Sequence, residues 1–236
     1  MMHEKLLKEI DGGNVLDVGC GPGQFTGTLA GSLRSFKTIT GVDVDEDSLK
    51  EARSNFPGKS FIFIRSGSQD LPFQNDHFDM VVISNALHHV EDPEASLAEM
   101  KRVLKSGGYF LVNELLRDEL TDAQESHMLH HHLRQEIDKI LGVNHNPTYH
   151  RADLINLVNN VGLQERVIAE FSPDDGMARD SENMLEFTRK LDLWIEALDG
   201  HPEKSKFRER GEALKNRIKE FGISRPPQML ILGKKM

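Results

Sequence analysis

The chain has 236 residues, a formal charge of −9 from 29 Lys and Arg against 38 Asp and Glu, and one cysteine. That length fits one large α/β domain or one domain with an insert, and the acidic balance argues against phosphate backbones, hence against nucleic acid as a partner. A lone Cys20 excludes an intramolecular disulfide, no stretch approaches the ~20 apolar residues of a membrane span, and the opening MMHEKLLKEIDGG lacks a signal-peptide core, so a cytoplasmic protein without a membrane partner is expected.

Residues 3–10 read as a short lead-in helix ending at Gly12-Gly13. Val15, Leu16 and Val18 mark a buried parallel strand over 14–18, interrupted by Asp17. Gly19, Gly21 and Gly23 follow at alternate positions and let the backbone turn sharply and approach a ligand. A helix over 23–34 then places this loop between a strand and a helix N-terminus, where α/β proteins hold nucleotides. Its spacing is G-x-G-x-G, neither the dinucleotide G-x-G-x-x-G nor a P-loop, so it reads as a nucleoside-type loop without a pyrophosphate signature. Asp17 suits a ligand bearing an ammonium group. The second strand, TITGVDV at 38–44, ends in Asp43, about 20 residues past the loop, where an acid accepts hydrogen bonds from a ribose diol. Asp43 or Asp45 could instead cap the helix at 46–55, and capping suits Asp45 better. SFIFIR at 60–65 is the third strand, followed by a loop with Gly67, Ser68, Gln69 and Asp70; an Asp before Leu-Pro is also a common turn former.

FDMVVIS at 78–84 is the fourth strand, and Asn85 to Val90 lie at its carboxyl end, the edge where open α/β sheets keep their sites. A neutral imidazole of His88 or His89 could take a proton from a substrate there; the plainer reading has one histidine packing and the other capping. An amphipathic helix spans 93–104, opened by D-P-E and closed by Ser106-Gly107-Gly108, and the fifth strand follows at 109–115. Five alternating strand–helix units imply a parallel, doubly wound sheet. Residues 121–141 form a long helix with Leu129, Leu133, Ile137, Ile140 and Leu141 as its stripe. Within it His127 and His131 share one face, and His130 and Arg134 another. Two histidines four apart can chelate a metal, with His145, His150 or a carboxylate as a third ligand, but such pairs are common on solvated helices and no metal is assigned. NPTY at 146–149 reads as a turn into a helix at 150–161; the sixth strand is 163–171. Helices at 180–199 and 203–221 form an insert before the last strand, 226–234, whose leading proline suits an edge position. Trp194 belongs to the apolar stripe of the first, read as docked on a core or a partner subunit.

The motifs VLDVGCGPG, GVDVDEDSL, SGSQDLPF, FDMVVISNALHHVEDP and LKSGGYFLVNE, in this order over residues 10–116, resemble those of the class I S-adenosylmethionine-dependent methyltransferases, in a small-molecule, type 11-like branch. The resemblance implies a Rossmann-like, doubly wound, seven-stranded α/β sheet with six parallel strands and an antiparallel last one. It implies a cofactor domain over 1–172 plus 226–236, a helical lid or substrate region at 117–162 within it, and a helical insert at 173–225. The implied cofactor is S-adenosyl-L-methionine, with S-adenosyl-L-homocysteine as product. Its contacts would be Asp17, Gly19, Cys20, Gly21, Gly23 and Phe25; Asp43 on the ribose and Val44 on the adenine; Ser68, Gln69, Asp70 and Leu71, with Asp70 on the adenine amino group; and Ser84, Asn85 and Ala86. His88 and His89 are the catalytic candidates, and His127 and His131 the substrate contacts.

The implied reaction is direct displacement onto O, N, S or C of a small molecule. The donor is already activated, so alignment does most of the work, roughly 7–11 kcal/mol, helped by a cover that excludes water. The single cysteine speaks against arsenic methylation. NPTY lies after the fifth strand and not the fourth, which speaks against amino-directed chemistry on nucleic acid or protein. The alternative is a non-catalytic sensor or partner subunit that binds the cofactor or its product, and a third class is an NAD-dependent oxidoreductase. The expected partners are a small-molecule acceptor and, for assembly, a homodimer.

Overall fold

A computed structural model describes residues 2–172 and 178–236; part of the connection that the sequence places between the sixth strand and the next helix, 173–177, lies outside the described residues. The chain divides into two compact units, one of Met1–Glu114, Arg151–Phe171 and Gln228–Met236, the other of Leu115–His150 and Ser172–Pro227.

The first unit alternates strands and helices: α1 (Met2–Leu7), β1 (Asn14–Val18), α2 (Gln24–Ser32), β2 (Thr38–Asp43), α3 (Glu46–Asn55), β3 (Phe61–Arg65), β4 (Phe78–Ser84), α4 (Pro93–Val103) and β5 (Leu104–Leu115). After the excursion into the second unit come α6 (Arg151–Asn159), β6 (Gln164–Phe171) and β7 (Gln228–Lys234). Among the described residues the seven strands form one sheet in the order β3-β2-β1-β4-β5-β7-β6, with β7 antiparallel to β6 and the other six parallel. The central strands are apolar because both sheet faces are covered: Val15, Ile39, Met80, Val82, Leu111 and Leu230 share one buried cluster with Leu29 of α2. Helix starts follow local chemistry. Asp45 accepts from the Asp47 and Ser48 amides to cap α3, and Asp92 accepts from the Ala95 amide to cap α4, with Pro93 in its first turn.

Two expectations change. The proline ahead of the last strand does not mark a sheet edge: β7 lies between β5 and β6, and Pro226 and Pro227 precede Gln228, so no ladder donor is lost. β5 begins at Leu104, not 109. Ser106-Gly107-Gly108 forms a bulge against β4 between the Phe78–Leu104 and Met80–Tyr109 pairs and does not break the strand.

The second unit is helical, with α5 (Asp122–Ile140), α7 (Ser181–Glu196) and α8 (Lys204–Phe221). Leu133 and Ile137 of α5, Leu191 and Ile195 of α7, and Phe207, Leu214 and Ile218 of α8 bury one common core. Thr121 and Gln124 form a reciprocal capping box at the start of α5. The lid region and the later insert of the sequence reading thus contribute to one core, while α6, grouped there with the lid, lies in the first unit.

Candidate functional site

Parallel strands end together, and here that edge is polar. The pairs Val18–Val42, Val18–Ile83, Asp43–Arg65 and Ser84–Asn113 align the carboxyl ends of β1 to β5 in one row. The glycine loop leaves β1 at this edge. The amides of Gly19 and Cys20 both donate to the Val42 carbonyl, at 2.8 and 3.1 Å, so the loop folds back over β2. Gly19 and Gly21 have φ of 67° and 50°, which a side chain would strain. Their surroundings differ. A Cβ on Gly19 would lie 2.5 Å from the Ala86 Cβ, whereas one on Gly21 would meet no protein atom within 4 Å. The loop is closed against the end of β4 and open at Gly21.

Asp43 ties this loop to β2. One carboxylate oxygen accepts from the Gly21 amide at 2.8 Å and the other from the Asp45 amide at 2.9 Å. Asp45 is taken up by capping α3, as its position suggested. Val44, next along, is 64% exposed, an apolar face at the edge. Asp17 is 1% exposed and accepts from the Thr26 hydroxyl at 2.6 Å, joining β1 to α2 beneath the loop. Burial, with a smaller contribution from the Asp43 charge, pushes its carboxyl up to about 7 against the Thr26 hydrogen bond, which pulls it down. The Cys20 side chain packs with Leu49, Ala52 and Phe63, and burial raises its thiol well above the usual range; its carbonyl accepts from the Gly23 amide. Phe25 packs on the central core from α2, and Gly23 is buried beside Phe56.

The loop after β3 is held by α4. Ser68 Oγ lies 2.8 Å from Ser96 Oγ, and the Leu71 amide donates to Glu99 at 3.1 Å. Arg102 donates to the Leu71 and Phe73 carbonyls at 3.0 and 2.8 Å and pairs with Glu99, while Gln69 and Asp70 are exposed. After β4, the Ser84 hydroxyl accepts from the Asn113 amide group, and Asn85, at φ 50°, donates its N–H to the Asn113 carbonyl. A non-glycine residue in this conformation costs energy and is typical of functional edges.

His88 and His89 lie in a 3₁₀ turn, Leu87–His89, with very different surroundings. His88 is 2% exposed, and its Nδ1 donates to Glu114 at 2.8 Å; the other oxygen of Glu114 accepts from the Leu87 amide at 2.6 Å. His89 is exposed, its ring 4.2 Å from that of His88. A carboxylate on Nδ1 fixes the neutral tautomer with its lone pair on Nε2. Glu114 and Asn113 are absent from the sequence reading. Their signal was a carboxylate and an amide at the end of the apolar run FLV in β5.

In the second unit, His127 and His131 take different partners. The His127 ring meets Phe187 edge to face at 5.2 Å, and His131 meets His145 at 4.7 Å. His130 reaches the Phe187 carbonyl with Nε2 at 3.0 Å and packs on Trp194, with the Arg134 guanidinium 5.1 Å from the Trp194 ring centre. Trp194 therefore packs against its own helical core, the docking read from the stripe. NPTY precedes α6 as irregular chain, with the Tyr149 carbonyl accepting from the Arg117 amide at 3.0 Å.

A family model described as "Methyltransferase domain" matches residues 16–112. The chain is 35% identical over 106 residues to a fatty-acid O-methyltransferase of Mycolicibacterium smegmatis, covering 45% of this chain and 38% of that one. It is 33% identical over 107 residues to the ubiquinone/menaquinone biosynthesis C-methyltransferase UbiE of Shewanella halifaxensis, covering 44% and 43%. The matches thus span about two-fifths of these relatives' own lengths. In fold, the chain resembles an S-adenosylmethionine-dependent methyltransferase from Mesorhizobium loti, with TM-score 0.59, 18% identity and coverage of 98% and 94%. Among the described residues, no helix is long and apolar enough to cross a membrane.

Proposed function

We propose that the chain, whose residues 16–112 match the family model described as "Methyltransferase domain", is a class I S-adenosylmethionine-dependent methyltransferase that binds S-adenosyl-L-methionine at the β1–β4 edge and methylates a small molecule. The observation that carries this reading is the Asp43 carboxylate bonded to the Gly21 amide, beside the space where a Cβ on Gly21 would meet no protein atom within 4 Å. A carboxylate accepts about four hydrogen bonds, and Asp43 has committed two to backbone, leaving capacity for a ribose diol. Exposed Val44 offers an adenine a flat apolar contact, and exposed Asp70 an acceptor for its amino group. Buried Asp17 supports the loop from below through Thr26 and is not needed as a direct contact. The donor set is carboxylates and backbone amides, as an uncharged sugar and base require.

When bound, the cofactor supplies a methyl carbon on a sulfonium, already activated for displacement. The chain's share is alignment and, for an acceptor arriving protonated, removal of a proton. Nε2 of His88 is the atom for that, with Glu114 holding the ring and stabilising the cation formed. Exposed His89 is the weaker candidate.

The acidic charge supports a small, non-nucleic acceptor. The relatives named for a fatty acid and for ubiquinone/menaquinone biosynthesis set the first acceptors to offer. Titration calorimetry with S-adenosyl-L-methionine, S-adenosyl-L-homocysteine and NAD tests the site. Binding of the first two without NAD is the expected outcome; binding of NAD alone sinks the proposal. Transfer of labelled methyl groups into a metabolite extract then separates an enzyme from a non-catalytic sensor or subunit, which would bind without turnover.

A further inference from the structure

The sequence pairs His127 with His131, one helical turn apart, but the fold pairs His131 with His145. From this geometry we propose a divalent transition-metal site, zinc by preference, whose ligands include Nε2 of His131 and Nε2 of His145, with Asp138 as the carboxylate behind His145. His131, Asp138 and His145 all belong to the helical unit.

Three observations carry it. First, the two Nε2 atoms are 3.4 Å apart. Two nitrogens bound to one zinc at about 2.0–2.1 Å with a tetrahedral angle are about 3.3–3.4 Å apart, so the pair already has the spacing of a tetrahedral edge. The same distance is long for a hydrogen bond between two nitrogens. Second, Nδ1 of His145 donates to Asp138 Oδ2 at 2.8 Å, and both side chains are buried. That bond puts the proton on Nδ1 and the lone pair on Nε2, and a carboxylate behind a histidine raises its basicity as a ligand. Third, Asp138 is itself oriented. Its Oδ1 lies 2.6 Å from Arg134 one turn back on α5, and the Val143 amide donates to the Asp138 carbonyl at 2.8 Å, folding the chain that carries His145 back onto the helix.

Imidazole nitrogens suit zinc and its neighbours in the first transition row far better than magnesium or calcium, which take oxygen. The coordination positions beyond these two nitrogens fall to solvent, a bound small molecule or further protein groups, whose number spectroscopy reads.

The test uses the full chain, stripped with a chelator and titrated with zinc alone against a chromophoric competitor. One zinc per chain at micromolar affinity or better is expected. His131→Gln and His145→Gln should each weaken it at least ~100-fold, and Asp138→Asn ~10–100-fold. His150→Gln, at an exposed histidine, should change it less than ~3-fold. Circular dichroism checks that each variant folds. Should buried His145→Gln fail to, zinc-induced shifts of the ring signals of His131 and His145 in the unaltered chain give the same answer. Cobalt in place of zinc should show visible bands of tetrahedral intensity, and X-ray absorption should show at least two imidazoles at about 2.0 Å. No zinc uptake at micromolar concentration, ring signals that do not move, or uptake undiminished in both His131→Gln and His145→Gln overturns the proposal.

Discussion

Asp43 spends two of its acceptor sites on the amides of Gly21 and Asp45, so removing it should loosen the loop and take away the ribose acceptor together. Asp43→Ala should weaken S-adenosyl-L-homocysteine binding by about 1–3 kcal/mol, the range for a hydrogen bond to a charged group. Asp45→Ala, which removes only the α3 cap, should lower the melting temperature with little change in affinity. Equal affinity for Asp43→Ala and the parent would reduce Asp43 to a structural tie. The His88–Glu114 pair calls for a different measurement. If His88 accepts the substrate proton, His88→Ala should slow turnover at saturating cofactor by about 10²–10⁴-fold, and Glu114→Gln should shift the pH profile of the rate, with product affinity unchanged in both. No change in turnover for His88→Ala would leave alignment as the whole of catalysis. At this scale Asp43 and the histidines were legible, because spacing from the glycine loop and position after β4 locate them. Glu114 was not. Alternation marks which strand positions are buried, but a buried acid at a strand end is recognised only when its partner, 26 residues away, is in place.

The loop carrying Asp70 owes its shape to α4. Arg102 of α4 holds the Leu71 and Phe73 carbonyls and the Asn75 side chain, and pairs with the Glu99 that receives the Leu71 amide. Arg102→Ala should leave α4 folded and free the loop. Amide hydrogen exchange over 68–73 should accelerate at least ~10-fold, about 1.4 kcal/mol of lost protection, while the β1 and β4 amides stay as they were. Unchanged exchange in that loop would show that Ser68 and Leu71 hold it alone. Elements themselves were the most legible level, since period-2 and period-3.6 patterns and capping acids survive in sequence. The failures occurred at glycine and proline. Gly107-Gly108 reads as a breaker but serves as a bulge inside β5, and the Pro226-Pro227 pair reads as an edge marker but sits just outside an interior strand. Both residues advertise a local backbone constraint and say nothing of which strands flank them.

At the scale of the whole chain, the helical unit is assembled from 115–150 and 172–227, two segments parted by α6 and β6. An apolar stripe shows that a helix buries a face but not against what, so the shared core of α5, α7 and α8 could not be read in advance. Global stability should also carry the mark of one buried acid. Asp17 has its carboxyl raised from 3.8 to about 7 by burial first, with the Asp43 charge adding to it. The folded state therefore holds a proton that the unfolded chain has released between those two values. The sign follows: the contribution is full below pH 3.8 and is lost as the pH rises through about 7, amounting to about 4 kcal/mol. Carboxylates such as Asp79 and Glu99, whose values are lowered, act in the opposite sense and mask this in the raw profile. A difference measurement removes the mask. Asn at position 17 can still accept from Thr26 and never ionises, so Asp17→Asn should lack this loss of stability with rising pH. Denaturant melts of both proteins should show the variant gaining on the parent by several kcal/mol between pH 4 and pH 8, most of it by pH 7. A constant difference across that range would mean that Asp17 is charged throughout, with its buried charge balanced from elsewhere in the loop.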